Sequence, residues 1–474
     1  MHIANRLLIA AILALSALSP PTHARDLLPA PVAQALSRAG IPSENVGLAA
    51  QRVEEKRPLV TFNTQKAMNP ASVMKLVTTF AALDILGPTY NWRTEVYLGG
   101  PLRDGVLDGD VIFKGYGDPK LTYEQFWLLL QQLRGRGLKE IRGDLVLDRS
   151  WFDIPPHDPA AFDMEPLRPY NVGADALLLN FKTQRYRLVP SAQGMQLLPE
   201  PPIASVQIDN RLRVTQGACN DWRNDIQLLV AESADGAQLR FDGPYPLSCG
   251  ERNWNIALLS HSNFVLGAFK SLWRDAGGVF NGTVRDGMAP PGAAVFAVHQ
   301  SPSAAEVLRD MNKYSNNTIA RQVFLTLSAE VLQPPGRYET SGKIVRDWLK
   351  QRELDMPELA LENGAGLSRI ERISTANMQS LLLAAYRSAV MPEFIASLPI
   401  IGRDGTASRK LKEDPIVGQA HIKTGSLSDV RSMAGFMLDR EGRRIAFTFI
   451  VNHPNAAATQ SAQDAFLRWL YDLN

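Results

Sequence analysis

From about residue 92 to residue 295 the chain changes character. Short β-like runs at 111–113, 115–119, 144–148, 186–189 and 205–208 alternate there with Gly, Pro and Asp turns, and few helical periods are visible. On either side, helix and strand patterns are mixed. Residues 46–53 and 59–62 read as a strand pair joined by the charged turn Glu54-Glu55-Lys56-Arg57. Residues 73–86 are apolar and free of Gly and Pro, and Gly87-Pro88 ends them, as a helix ends. Helical periodicity returns over 303–327. Residues 420–423, 430–438 and 444–451 read as strands, the last two as an antiparallel hairpin through Asp439-Arg440-Glu441-Gly442, and 457–473 closes in a helix pattern. One α/β domain made from both ends of the chain, with a β-rich insertion between them, satisfies this order.

Charge excludes some functions. The 474 residues hold 50 Lys and Arg against 48 Asp and Glu, so no overall field exists to gather nucleic acid or an anionic membrane surface. The first 24 residues carry one full charge, Arg6, then the apolar run 7–18, then Pro20-Pro21 and the small residues around Ala24. That run is too short for a membrane span, and the pattern is that of a cleaved secretory leader. The mature chain is thus expected outside the cytoplasm with no membrane span. The only two cysteines, Cys219 and Cys249, can pair in an oxidising compartment; two buried thiols are the alternative. Two Cys without neighbouring paired His make no zinc site, and no HExxH is present, so no metal is expected.

A secreted hydrolase can use a serine nucleophile with a base in hydrogen-bond reach. The GxSxG elbow is absent, and a Ser-His-Asp triad stays open because its order and spacing are free. Ser72-Val73-Met74-Lys75 offers a different pair at the start of a helix. Residues i and i+3 share a face, so the Lys75 amine can reach the Ser72 hydroxyl, and the helix N-terminus favours negative charge there. Lys423-Thr424-Gly425, followed by Ser426, sits at the end of a strand, where an open backbone lies beside a lysine suited to a carboxylate. Ser315-Asn316-Asn317 adds a second hydroxyl and an amide. Alone, each reads as readily as a chance match, a charged edge strand or a helix cap.

Together, in this order, the three motifs resemble those of the penicillin-binding serine D-alanyl-D-alanine peptidases. Asn69 to Thr79 looks like the active-site stretch of that family. Gly115-Tyr116-Gly117-Asp118-Pro119, Asn363 to Arg369 and Gly402 to Thr406 resemble further landmarks. Ser72 and Ser315 lie 243 residues apart, similar to the D-alanyl-D-alanine carboxypeptidase/endopeptidase subfamily with its large inserted domains. The resemblance implies a penicillin-binding/β-lactamase-like transpeptidase fold (α/β, or α+β), an antiparallel sheet flanked by helices. The chain would then divide into a leader (1–24), a first catalytic part (25–95), an inserted β-rich region (96–296) and a second catalytic part (297–474). It also implies a periplasmic enzyme without cofactor, acting on peptidoglycan peptides and trapped covalently by β-lactams. Ser72 would be the nucleophile, Lys75 its base and Ser315 a proton carrier. Asn317, Lys423, Thr424, Gly425 and Ser426 would bind substrate, with the Ser72 and Ser426 backbone as oxyanion hole. Asp163, in the stretch Ala161 to Pro166, would meet a substrate amine. Tyr314 and Asn316 match the frame of another β-lactamase class, and the Asn-Asn-Thr-Ile-Ala run from Asn316 favours Ser315 and Asn317. The rival readings are a β-lactamase on the same fold, a non-enzymatic cell-wall-binding protein and a Ser-His-Asp esterase.

Overall fold

Strand pairing joins the two ends of the chain. In the computed structural model, which describes residues 27–233 and 236–473, Val46–Arg52 pairs antiparallel with Pro58–Phe62 on one side and with Arg444–Asn452 on the other. The expected leader at 1–24 lies outside the described residues. The hairpin expected near the C-terminus is present as Val430–Leu438 and Arg444–Asn452, and Ala420–Leu427 pairs with the former as the sheet edge. All pairs in this five-stranded sheet are antiparallel.

Both faces of the sheet are covered, which is why its central strands read as apolar runs. Met433, Met437, Ile445, Phe447 and Phe449 pack with residues of the helices Ala30–Arg38 and Gln460–Tyr471. The alternate positions Ala434, Phe436 and Ala446 join a second core built around the helix Lys75–Ile85. That helix is buried from Lys75 through Leu83, so it runs inside the domain with no solvent face.

Between the two halves, Asn91–Leu98 leads out and Ala297–Ser303 leads back. They pair with one another at the edge of a second five-stranded sheet. Two three-stranded sheets follow, and a Cys219–Cys249 disulfide joins their connections. This region has its own apolar core. It is less purely β than its turns suggest, because it also holds the helices Tyr123–Gly135 and His261–Asp275. Their buried residues, Phe126, Leu129, Leu130 and Leu133 in one and Phe264, Val265, Ala268, Phe269 and Leu272 in the other, follow helical spacing, so the density of flanking Gly and Pro hid a readable period. The helical stretch expected over 303–327 is two helices, Ala304–Lys313 and Asn317–Val331. The break falls on Tyr314-Ser315-Asn316, with Ser315 at φ 54° and the Asn316 side chain capping the second helix by accepting from Ile319 N at 3.0 Å.

Candidate active site

Ser72 is delivered by a tight turn. Ala71–Met74 is a 3₁₀ turn that runs straight into the helix Lys75–Ile85, and Ala71 takes φ 46° to start it. In such a turn, side chains at i and i+3 eclipse, which brings Ser72 and Lys75 together more directly than an α-helix would. The turn is held from outside. Asn452 receives a bond from Asn69 N (2.8 Å) and donates one to the Asn69 carbonyl (2.9 Å), while the Ser432 hydroxyl donates to the Pro70 carbonyl at 2.6 Å.

Lys75 Nζ donates to Ser72 Oγ at 2.9 Å, to Asn317 Oδ1 at 2.7 Å and to the Ala365 carbonyl. It is fully buried, and desolvation, then the charges of Lys423 and Arg321, push it well below the usual lysine range; Glu371 opposes them. Lys423 forms a second amine–hydroxyl pair, donating to Ser315 Oγ at 2.8 Å and to the Thr424 carbonyl at 2.6 Å. Burial lowers it to about 7. The serines that open two of the sequence motifs are thus each bonded to a lysine, Ser72 to Lys75 and Ser315 to the Lys423 that opens the third.

The remaining expected residues fall around this pair. Asn317 opens its helix, and its Nδ2 donates to the Tyr170 carbonyl at 3.2 Å. The Thr424 and Thr406 hydroxyls are hydrogen-bonded at 2.9 Å. Gly425 is where the edge strand passes the turn that carries Ser72: a Cβ there would lie 3.0 Å from Ser72 N and 2.6 Å from the Pro70 carbonyl. Ser426 follows on the exposed side of the strand. Among the described residues, the hydrogen bonds of Asp163 run to neither lysine pair. Its Oδ1 accepts from Asn171 Nδ2 at 2.7 Å and its Oδ2 from the Tyr170 hydroxyl at 2.8 Å, so it braces the loop whose Tyr170 carbonyl meets Asn317.

Other residues here carry no catalytic signature in sequence. Lys313, buried just before the Ser315 turn, pairs with Asp404 at 2.7 Å. That bond ties the Gly402 to Thr406 stretch to the site. Gly366, at φ 78°, backs onto the turn that carries Ser72 so closely that a Cβ would sit 1.9 Å from the Ala71 carbonyl. Both glycine-rich stretches therefore border the site. Arg321 and Glu371, fully buried or nearly so, lie beneath it. Among the described residues no cluster of His, Cys, Asp or Glu could hold a metal ion.

Comparison with known proteins agrees with this geometry. The chain is 26% identical over 437 residues to the D-alanyl-D-alanine carboxypeptidase DacB of Haemophilus influenzae, covering 86% of this chain and 85% of that protein. It is 27% identical over 416 residues to the D-alanyl-D-alanine carboxypeptidase of Actinomadura sp. strain R39, covering 84% and 75%. The crystal structure of penicillin binding protein 4 from Haemophilus influenzae matches the fold with a TM-score of 0.78 at 24% identity, over 93% of this chain and 99% of that one; the same protein complexed with a β-lactam matches at 0.74. Residues 28–473 match one family throughout, and the chain belongs to the D-Ala-D-Ala carboxypeptidase 3 (S13) family.

Proposed function

We propose that this chain is a serine-type D-alanyl-D-alanine carboxypeptidase, D,D-endopeptidase or both, acting on peptidoglycan stem peptides and cross-links through an acyl-enzyme on Ser72. The observation that carries this is the Lys75 amine, buried and held at 2.9 Å from the Ser72 hydroxyl. Lys75, short of its usual proton affinity, takes the Ser72 proton as the Ser72 oxygen attacks the carbonyl of the D-Ala-D-Ala bond. The Ser72 and Ser426 backbone N–H groups receive the developing oxyanion; one such donor is worth about 3–4 kcal/mol of barrier. Ser315 passes a proton to the leaving amine. Lys423 meets the terminal carboxylate, with Thr424 beside it, and Gly425 leaves room for the substrate strand. Asn317 exchanges its present partners for the acyl-side amide. Asp163, anchored through Tyr170 near Asn317, meets the amine of the substrate side chain. Water then hydrolyses the acyl-enzyme.

A β-lactam presents the same amide in a ring and acylates Ser72. Among the described residues, the hydrogen bonds around Ser72 and Lys75 involve hydroxyl, amide and carbonyl groups and include no carboxylate to activate water, which supports a long-lived adduct. Rapid penicillin turnover would instead favour the β-lactamase reading. The reaction takes place in the periplasm after removal of residues 1–24. Among the described residues no helix is long and apolar enough to cross a membrane. Incubation with a muropeptide pentapeptide and a cross-linked dimer tests the proposal. Release of D-alanine or cleavage of the dimer supports it, and Ser72→Ala abolishes both. Neither product from the wild-type protein would leave the wall-binding reading.

A further inference from the structure

Glu371 is a fully buried carboxyl that no step above uses, and it is the one glutamate in that state among the described residues. Its Oε1 accepts from the backbone N–H groups of Glu362 (3.1 Å), Asn363 (3.0 Å) and Gly364 (3.0 Å). Its Oε2 is shut off from water with no hydrogen-bond partner. The loop gathered by these bonds is the one that holds the catalytic amine. The Thr78 hydroxyl, one turn along the same helix as Lys75, donates to the Gly364 carbonyl at 2.7 Å, and Lys75 Nζ donates to the Ala365 carbonyl.

The charges around it are unbalanced. Lys75 ends on a hydroxyl, an amide oxygen and a carbonyl; Arg321, from the helix Asn317–Val331, donates to the Val172 carbonyl at 2.5 Å; Lys423, from the edge strand, ends on a hydroxyl and a carbonyl. None of the three hydrogen-bonds to a carboxylate. Glu362 also faces this group from the loop, but it is exposed and screened by water. Tyr338 faces Arg321. Burial pushes the Glu371 carboxyl above the usual carboxylate range, the three backbone N–H donors pull it back, and the charge of Glu362 adds to the rise.

We infer that Glu371 is a positioning residue for Lys75: its carboxylate pins the Ala365 carbonyl against the amine and supplies the buried negative charge set against Lys75, Arg321 and Lys423. The inference rests on the reading of Lys75 as the base. That reading fails by itself if Lys75→Ala is acylated as fast as wild type, whatever the Glu371 variants do.

The test is the pH profile of penicillin acylation at Ser72. Glu371→Gln keeps the shape and an acceptor oxygen but removes the charge. Without it the Lys75 ammonium is less stable, so the acidic limb moves down by about one pH unit. Glu371→Asp keeps the charge with a shorter reach, and its limb stays at the wild-type pH while the rate falls. A uniformly slower Glu371→Gln profile with its limb unmoved would overturn the inference and leave Glu371 as a loop brace. If neither variant folds, the wild-type enzyme labelled with ¹³C at glutamate Cδ decides the matter. The inference requires every glutamate to be ionised at pH 7, and a protonated glutamic acid signal there would overturn it.

Discussion

Replacing Gly425 by alanine adds one methyl where the edge strand crosses the turn that carries Ser72. The new Cβ would stand 2.3 Å from Ser432 Oγ, 2.6 Å from the Pro70 carbonyl and 3.0 Å from Ser72 N. Ordinary contact begins at 3.4 Å, so strand and turn must separate by about 0.8 Å against the carbonyl alone. Gly425 is not among the glycines at positive φ, so backbone strain adds nothing and the effect is one of spacing. The separation pulls Ser72 away from the strand proposed to bind substrate and breaks the Ser432 bond to Pro70. A misplacement of about 1 Å in a reacting group costs about 10²-fold in rate, or about 2.7 kcal/mol of barrier. The assay is the second-order acylation constant with a reporter penicillin, alongside a thermal melt. Adding Ser432→Ala removes the nearest clash but not the two backbone contacts, so the double variant recovers only part of the loss. Acylation of Gly425→Ala within about threefold of wild type would refute the reasoning, since backbone spacing would then not control the site.

Three further outcomes are expected. Lys75→Ala retains a cooperative melt and loses about 10²–10⁴-fold in acylation, measured with the same penicillin; an unchanged constant would remove Lys75 from the base role. The two lysines give opposite pH dependences: acylation rises with pH as Lys75 loses its proton, while KM for a peptide with a free terminal carboxylate rises above about pH 7 as Lys423 loses its charge. A KM independent of pH between 6 and 9 would contradict the carboxylate contact. Replacing Cys219 and Cys249 by serine opens a closure of 30 residues and lowers stability by about 3–4 kcal/mol in denaturant titration. Acylation of Ser72 remains at the wild-type rate, and a lost rate would mean that the inserted sheets shape the site.

Most of the catalytic fold is legible in sequence because its signals are local. The hairpin turn at Asp439 to Gly442, the charged turn at Glu54 to Arg57 and the stop at Gly87-Pro88 each act over a few residues, and the elements they delimit are present. The break at Tyr314-Ser315-Asn316 was not legible as a break, because no Gly or Pro marks it and Ser315 adopts φ 54° as a non-glycine residue. The two helices of the insertion keep helical spacing over Phe126 to Leu133 and Phe264 to Leu272, but the Gly, Pro and Asp residues that flank them are the stronger local signal and point to turns and short strands. In the site, Ser72, Lys75, Ser315 and Lys423 stand out because each belongs to a motif with a chemical reason. Asn452, Ser432, Asp404 and Glu371 do not. Asn452, Ser432 and Asp404 act through contacts to residues far away in the chain, such as Asn452 on Asn69 or Asp404 on Lys313, and Glu371 acts on the backbone of its own loop; a single sequence carries no trace of such pairs. Asp163 is expected at the site only through the resemblance of the stretch Ala161 to Pro166, and its side-chain hydrogen bonds run to Tyr170 and Asn171 in its own loop.

The central claim is that Ser72, activated by Lys75, forms the acyl-enzyme. Its most direct test is mass spectrometry of the protein incubated with penicillin, followed by mapping of the modified peptide. The account predicts one equivalent of adduct, carried on Ser72 and absent from Ser72→Ala. An adduct on any other serine, or one that persists in Ser72→Ala, would contradict it.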